Sequence, residues 1–229
     1  MKSEILNLKK SAKFRNEHEI YKGNRIVLID ENGKEVNINP AKNLNVEFKG
    51  RNSLIKIHKD LQYKLINIRM GEGAYLYIGK DCRIRHLLSV DLNNKNSTLI
   101  IHDKADIGSI KIYLEREPNL EVIIGSNFLA ANNIELRTSD AHTIYSINNP
   151  KEAINKPSFG IHIGEHVWIG ENVLVAKDVS IPKNCIIGAC SFVCRKEFHE
   201  NTIIAGVPAK TIKYNVNWDE KPIYRYEKT

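Results

Sequence analysis

The feature that most constrains this sequence is an uninterrupted six-residue repeat. From Ile161 onward the chain reads IHIGEH VWIGEN VLVAKD VSIPKN CIIGAC SFVCRK, which is six consecutive hexads. The third position of each hexad is aliphatic, and the residue after it is small or a turn former. A helix of 3.6 residues per turn would spread this period around its surface, whereas a short strand and a turn repeat naturally at six. The repeat therefore predicts a solenoid of short strands.

The first and third hexad positions are the predicted core. They lie two residues apart, so in an extended chain both side chains point to the same side. Upstream, similar segments recur 21 to 23 residues apart and begin at Ile57, Ile78, Ile101 and Ile124. Three hexads with a few extra residues at a corner account for this spacing. Since each coil buries its aliphatic residues against the next, the sequence predicts a parallel β-helix, an all-β fold.

Three regions break the repeat and suggest the domain organisation. Residues 1–43 are a predicted N-terminal cap, in which an Asn-Gly turn joins two strands. The β-helix is predicted over residues 44–213, interrupted by a polar loop at 138–160, and residues 214–229 form a tail that packs on its outside. A long excursion from a rigid scaffold is where function is usually carried, so we expect the loop to be catalytic.

Charge and composition limit the partners. The formal net charge is +7, with a pI of about 9.1, which favours an anionic partner such as a nucleic acid, a phosphorylated cofactor, an acidic glycan or a membrane surface. The basic residues are diffuse and lack the aromatic-rich motif of an RNA-binding module, which disfavours nucleic acid. No stretch approaches the roughly 20 apolar residues of a membrane span, and the first residues lack a signal-peptide pattern. We therefore expect a cytoplasmic protein without an integral membrane segment.

The four cysteines match no metal-binding or disulfide pattern. Their spacing fits neither a C-x-x-C pair nor a secreted framework. We predict reduced thiols packed as small hydrophobes at Cys82, Cys185, Cys190 and Cys194.

Several motifs together resemble one known family. The hexads, the loop Ser139-Asp-Ala-His142, the segment His166-Val-Trp-Ile-Gly170 and the closing Ile204-Ala-Gly-Val-Pro-Ala-Lys210 resemble the left-handed β-helix acetyltransferases. Within them the chain is most similar to the bacterial capsule and sialic-acid O-acetyltransferases, over about residues 50–215. The resemblance implies left-handed winding, an exception to the usual handedness of parallel crossovers. It also implies a homotrimer with an acetyl-CoA groove between neighbouring subunits, and direct transfer without an acyl-enzyme.

The resemblance implies catalytic roles for three residues. His142 is the candidate general base, because a histidine near its ordinary pKa of about 6.5 suits proton removal from a hydroxyl at neutral pH. Asp140 is a candidate to hold the imidazole tautomer, although a backbone carbonyl can do the same. Trp168 occupies an outward hexad position and is implied to shape the acetyl and acceptor pocket, with trimer packing as the alternative.

The donor implies a further set of residues. CoA carries a 3′-phosphate and a pyrophosphate, which favour Lys and Arg, while small residues let its pantetheine arm approach the backbone. The predicted cofactor-binding residues, all late in the solenoid, are Ala176, Lys177, Ala189, Arg195, Lys196, Ala205 and Lys210. The γ-class carbonic anhydrases share this fold and hold zinc with three histidines, but the histidines here lack that spacing. We therefore predict no metal.

The leading hypothesis is an acetyl-CoA-dependent O-acetyltransferase acting on a bacterial surface polysaccharide, capsular and containing sialic acid. A small-sugar or antibiotic O-acetyltransferase uses the same base and donor and differs in its acceptor cleft. A non-enzymatic scaffold is the least favoured reading, because the net charge is spread over many basic residues.

Overall fold

The computed structural model describes residues 23–39, 41–194 and 197–227. In chain order the first strands are β1 (Arg25–Ile29), β2 (Glu35–Asn37), β3 (Leu44–Phe48), β4 (Leu54–His58), β5 (Gln62–Tyr63), β6 (Ile66–Met70), β7 (Tyr75–Ile78), β8 (Arg83–Leu92), β9 (Thr98–Ile101), β10 (Asp106–Tyr113), β11 (Glu121–Ile124) and β12 (Leu129–Ala130). They continue with β13 (Ile134–Arg137), β14 (Tyr145–Ser146), β15 (Asn149–Ala153), β16 (Gly160–Ile163), β17 (Trp168–Ile169), β18 (Leu174–Val175), β19 (Val179–Ile181), β20 (Ile186–Ile187), β21 (Phe192–Val193), β22 (Thr202–Gly206) and β23 (Ala209–Tyr214). A one-turn helix, Ile223–Tyr226, follows.

The strands wind into a parallel β-helix with three faces, as the hexads predict. The first face stacks seven strands in parallel: β1, β4, β7, β9, β11, β16 and β19. The second face contains β5, β12, β17, β20 and β22, and the third contains β3, β6, β13, β18 and β21. Strands β8 and β10 are long and run from the second face onto the third. Each coil therefore has a triangular cross-section.

The predicted core positions are all buried. Every first- and third-position side chain in the six hexads is at most 2% exposed, from Ile161 to Val193. Between them the second-position side chains point outward, because successive residues of a strand alternate sides. The aliphatic side chains of one coil thus pack on those of the next, and the coils stabilise each other.

The corners between faces require left-handed backbone, and asparagine often supplies it. Asn133 and Asn172 occupy equivalent corners of adjacent coils with φ of 57° and 59°, and the Asn133 amide donates to Asn172 Oδ1 at 2.7 Å. Asparagine tolerates this conformation better than most residues, and here its side chain also links the coils. At Gly125 the constraint is space, because a Cβ would lie 2.5 Å from the carbonyl carbon of Gly164.

Both ends of the described solenoid are covered by antiparallel strands. The predicted Asn32-Gly33 turn joins β1 to β2, and these two strands pair antiparallel. On its other side β1 pairs in parallel with β4. At the other end β23 folds back on β22. The first 22 residues of the predicted cap lie outside the described part of the chain. No helix among the described residues is long and apolar enough to cross a membrane.

The cysteines divide into two classes. Cys82 and Cys185 are buried, as predicted, whereas Cys190 and Cys194 are exposed. The prediction of packed thiols is wrong for the second pair because each occupies an outward corner position of its hexad. Cys185, in contrast, occupies a core position. Among the described residues all four are free thiols.

Candidate active site

A long loop, residues 138–159, leaves the solenoid after β13 and returns as β16. It emerges at the corner between the third and first faces, which we call the loop corner. Thr138 anchors its start, because its buried hydroxyl donates to the Tyr113 carbonyl at 3.1 Å. Further out, β14 and β15 pair as a short antiparallel hairpin. The loop predicted at 138–160 is therefore a structured excursion that carries His142 close to the solenoid wall.

His142 has a fixed backbone and an exposed side chain. Its N–H donates to the Asp140 carbonyl at 2.8 Å, and its carbonyl accepts from the Asn155 amide at 2.8 Å. Ala141, just before it, has a φ of 64°, which turns the chain sharply. The imidazole makes no hydrogen bond to any other described residue. The residue is exposed, so the imidazole faces solvent.

Asp140 bonds to groups other than the imidazole. Its Oδ2 accepts from the ammonium of Lys177 and from the Asn155 amide, the latter at 2.9 Å. Partial burial by itself raises the pKa of the Asp140 carboxyl, but the hydrogen bonds from Lys177 and Asn155 and the Lys177 charge outweigh it. The net result is a pKa below the usual value, so Asp140 is ionised at neutral pH. Within the described chain it acts on the loop rather than on the imidazole ring.

A buried carboxylate holds the returning end of the loop. Asp178 is 3% exposed, and its Oδ1 accepts the backbone N–H groups of Ser158 at 2.7 Å and Phe159 at 3.1 Å. Sequence reasoning did not identify Asp178 or Asn155 as residues that hold the loop. The signal for Asp178 was present in the hexad VLVAKD, where Asp stands at a corner position before a core valine.

Trp168 lies on the second face and points outward, as predicted, with 40% of its surface exposed. The tail returns to this face, where Trp218 stacks on the His166 ring with centroids 4.2 Å apart and planes inclined by 13°. Its Nε1 donates to the His166 carbonyl at 2.9 Å. The two tryptophan rings lie 6.1 Å apart and are tilted by 49°. Sequence reasoning placed the tail outside the solenoid but did not identify this contact.

The predicted cofactor residues fall into two groups. Ala176 and Lys177 lie at the loop corner, beside Asp140. The other group lies at the corner where the second face meets the third. Gly188 marks this corner, because it stands between β20 on the second face and β21 on the third. A Cβ added to Gly188 would lie 2.8 Å from the Cβ of Ala205. Ala205 pairs with Lys210 there, and Ala189 approaches Gly170. Arg195 and Lys196 lie outside the described residues.

His142 and Trp168 lie on opposite sides of the solenoid. The loop corner joins the third and first faces, so in a triangular coil it is the vertex opposite the second face, which carries Trp168. The Lys177 contact holds the start of the loop at that vertex. One chain therefore does not bring the two residues together.

The other histidines on these coils are engaged in pairwise contacts. His162 Nε2 lies 2.7 Å from Glu121 Oε1, and His166 Nδ1 lies 3.0 Å from Asn184 Oδ1. In the described ranges no three His, Cys, Asp or Glu side chains converge as ligands for one metal ion. An open concavity of about 540 Å³ lies elsewhere, on the third face of the first four coils, lined by polar groups that include Asn67, Arg69 and Asp91.

Comparisons with known proteins match this architecture. The bacterial transferase hexapeptide (six repeats) family matches residues 160–195. The polysialic acid O-acetyltransferase of Neisseria meningitidis is 32% identical over 173 residues, which cover 75% of this chain and 78% of that protein. The chain belongs to the hexapeptide-repeat O-acetyltransferases. It is therefore an acyltransferase, as the motifs predicted.

Two further relatives bear on the acceptor. The crystal structure of the polySia-specific acetyltransferase NeuO superposes with a TM-score of 0.70 at 27% identity, covering 88% of this chain and 80% of that one. The galactoside O-acetyltransferase of Escherichia coli K12 is 36% identical over 103 residues, which cover 45% of this chain and 48% of that enzyme. Similarity to the polysialic acid enzymes thus extends over most of the chain, and similarity to the galactoside enzyme over about half.

Proposed function

We propose that this protein transfers an acetyl group from acetyl-CoA to a hydroxyl of a bacterial capsular polysaccharide containing sialic acid. The choice of acceptor rests on how much of the chain is similar to enzymes that are named for polysialic acid. Two such enzymes align over three quarters or more of the chain. The net charge of +7 suits both an acidic glycan and the phosphates of CoA. The proposal includes a cytoplasmic location, because acetyl-CoA is a cytoplasmic donor.

His142 is the proposed general base. Its exposed imidazole removes the proton from the acceptor hydroxyl as that oxygen attacks the thioester carbonyl carbon. The carbon–sulfur bond then breaks, and the proton ends on the departing thiolate to give free CoA. No covalent enzyme intermediate forms. Two observations support the role: the His142 backbone is bonded at both its N–H and its C=O, and its ring is open to a substrate.

The donor is proposed to lie along the corner between the second and third faces. Ala189 and Ala205 leave room beside the backbone there for the pantetheine arm, and the exposed Lys210 next to Ala205 suits a phosphate. This corner is distant from His142 of the same chain, so the proposed site needs a second copy.

A homotrimer is proposed to complete the site. Cyclic symmetry would bring the loop corner of one copy against the second face of the next, joining His142 to its neighbour's Trp168. The second face also carries a row of outward apolar side chains on neighbouring strands, which favours an interface. They are Leu129, Trp168, Ile186 and Ile203. Light scattering should give three times the chain mass of 26.2 kDa, and a monomer at micromolar concentration would overturn the intersubunit site.

Activity assays test the base and the acceptor together. Free thiol released from acetyl-CoA is measured with a sialic-acid polymer, a neutral polymer and simple galactosides, at low and high salt. We expect the sialic-acid polymer to be preferred, with an affinity that weakens as salt rises. His142→Ala should lower turnover by about 10²–10⁴-fold while acetyl-CoA still binds. Near-normal turnover in that variant would remove His142 from the mechanism.

The galactoside relative supplies the alternative. Its 36% identity over 103 residues keeps small-sugar transfer as the second candidate function. Preference for galactosides, with no effect of salt on polymer affinity, would replace the capsule proposal with this one.

A further inference from the structure

The Lys177 side chain joins the two stems of the long loop. Its ammonium contacts the Asp140 carboxylate before His142 and the Asn155 carbonyl after the hairpin, the second at 2.6 Å. Only 18% of the side chain is exposed, so the ammonium is largely enclosed by these partners. An ammonium has three donors and at least two are used here. Its charge is also paired with a carboxylate, which weakens its attraction for a phosphate.

Asn155 completes the same cluster. Its amide donates to Asp140 Oδ2 at 2.9 Å and to the His142 carbonyl at 2.8 Å, and its Oδ1 accepts the Ile144 N–H at 2.9 Å. We call Asp140, Asn155 and Lys177 the loop clamp. The clamp includes the residue two before His142, and through Asn155 it bonds to the His142 carbonyl and to the N–H of Ile144, two residues after it.

We propose that Lys177 is a positioning residue that, through the loop clamp, holds His142 in its reactive position. This assigns Lys177 to the loop instead of to the CoA phosphates suggested by its place late in the solenoid. The inference rests on the proposed function, in which His142 is the base. A base must lie within hydrogen-bond reach of the hydroxyl, and a displacement of about 1 Å costs up to about a hundredfold in rate.

Steady-state kinetics of Lys177→Met separate the two roles. Methionine keeps an unbranched chain about as long as the four carbons of the lysine side chain and removes the ammonium. For a positioning role we expect kcat to fall by about ten- to a hundredfold, with the KM for acetyl-CoA changed by less than about twofold. Lys177→Arg should restore part of kcat, because a guanidinium also bonds carboxylates and carbonyls. Lys183→Met is the matched control, since Lys183 stands one hexad later and pairs with Glu200 on the exposed surface.

A second variant and a double mutant keep the test independent of folding. Asn155→Ala removes the clamp contacts made by the other stem. Like Lys177→Met, it should lower kcat and leave the KM for acetyl-CoA nearly unchanged. In an Asp140→Asn background, Lys177→Met should cost much less than it does in the wild type, because the two residues act as a pair. Thermal unfolding of each variant confirms that the solenoid is retained.

Three results would overturn the inference. A raised KM for acetyl-CoA with kcat kept would assign Lys177 to the donor. Unchanged kinetics in Lys177→Met and Asn155→Ala would show that the clamp does not affect the reaction, and additive losses in the double mutant would separate Lys177 from Asp140. Failure of the proposed function is distinguishable, since in that case His142→Ala itself keeps its activity.

Discussion

The buried carboxylate of Asp178 offers a quantitative test of how the solenoid holds its long loop. Asp178 has a φ of 57°, so replacement by alanine would mix backbone strain with the loss of hydrogen bonds. Glycine accepts this conformation and removes the side chain, so Asp178→Gly isolates the contribution of the carboxylate. Asp178→Asn keeps the shape and an oxygen acceptor but removes the charge.

The expected magnitudes follow from the bonds to Ser158 and Phe159. A hydrogen bond to a charged group contributes about 1.5–3 kcal/mol, and at a φ of 57° the strain that glycine relieves offsets the flexibility that it adds. The carboxylate accepts these two backbone bonds and a longer one, of 3.4 Å, from the Ser158 hydroxyl. With partial compensation by water, we expect Asp178→Gly to lower the free energy of unfolding by about 3–4 kcal/mol and Asp178→Asn to lower it by about 1 kcal/mol.

Urea unfolding of both variants, followed by circular dichroism, measures these changes. The control is Asn184→Gly, which removes one neutral side-chain contact, to His166, at an equivalent corner with a φ of 59°. We expect it to cost about 1–1.5 kcal/mol. The reasoning is refuted if Asp178→Asn is as destabilising as Asp178→Gly, or if Asp178→Gly matches the control.

Two further predictions concern the cysteines and the tail. Burial raises the pKa of the Cys82 thiol to about 11 and also raises the pKa of the Cys185 thiol. At pH 8 we therefore expect the exposed Cys190 and Cys194 to react quickly with a thiol reagent, and the buried Cys82 and Cys185 to react only in denaturant. Four fast thiols would contradict the core assignment. Trp218→Phe keeps the stack on His166 but loses the Nε1 bond, so thermal unfolding should show a loss of about 1 kcal/mol, while Trp218→Ala should lose clearly more. Equal stability of the two variants would show that the stack contributes nothing.

Periodicity explains why the core was predictable from sequence. A strict repeat of six leaves one arrangement in which Ile161 and Ile163 face inward and Trp168 faces outward, and each added hexad repeats the constraint. The same logic identifies Cys185 as buried and Cys194 as outward, a distinction that composition alone misses. Local turn chemistry was sufficient for the Asn32-Gly33 hairpin.

The interior of the long loop was not predictable in the same way. Its shape depends on bonds between residues far apart in the chain, such as Lys177 to Asp140, and no period relates these positions. Trp218 reaches His166 across 52 residues, through a tail whose path has no repeat. Motif resemblance located His142, but only the fold shows that Asp140 bonds to Lys177 and not to the imidazole.

The opposite placement of His142 and Trp168 leads to a test of the intersubunit site that needs no ligand structure. If each site takes its base from one chain and its tryptophan from the next, a chain with His142→Ala and a chain with Trp168→Ala each lack one half of every site. Mixed trimers, made by co-expression or by refolding the two variants together, contain some sites in which both contributing halves are wild type. For random assembly about a quarter of the sites are intact, so we expect activity near a quarter of the wild type from two variants that are nearly inactive alone.

A double variant, with both substitutions in one chain, mixed with the wild type serves as the control and should also leave about a quarter of the sites intact. No recovery in the first mixture, alongside activity in the second, would place both residues in a site within one chain and would contradict the geometry argued from the three faces.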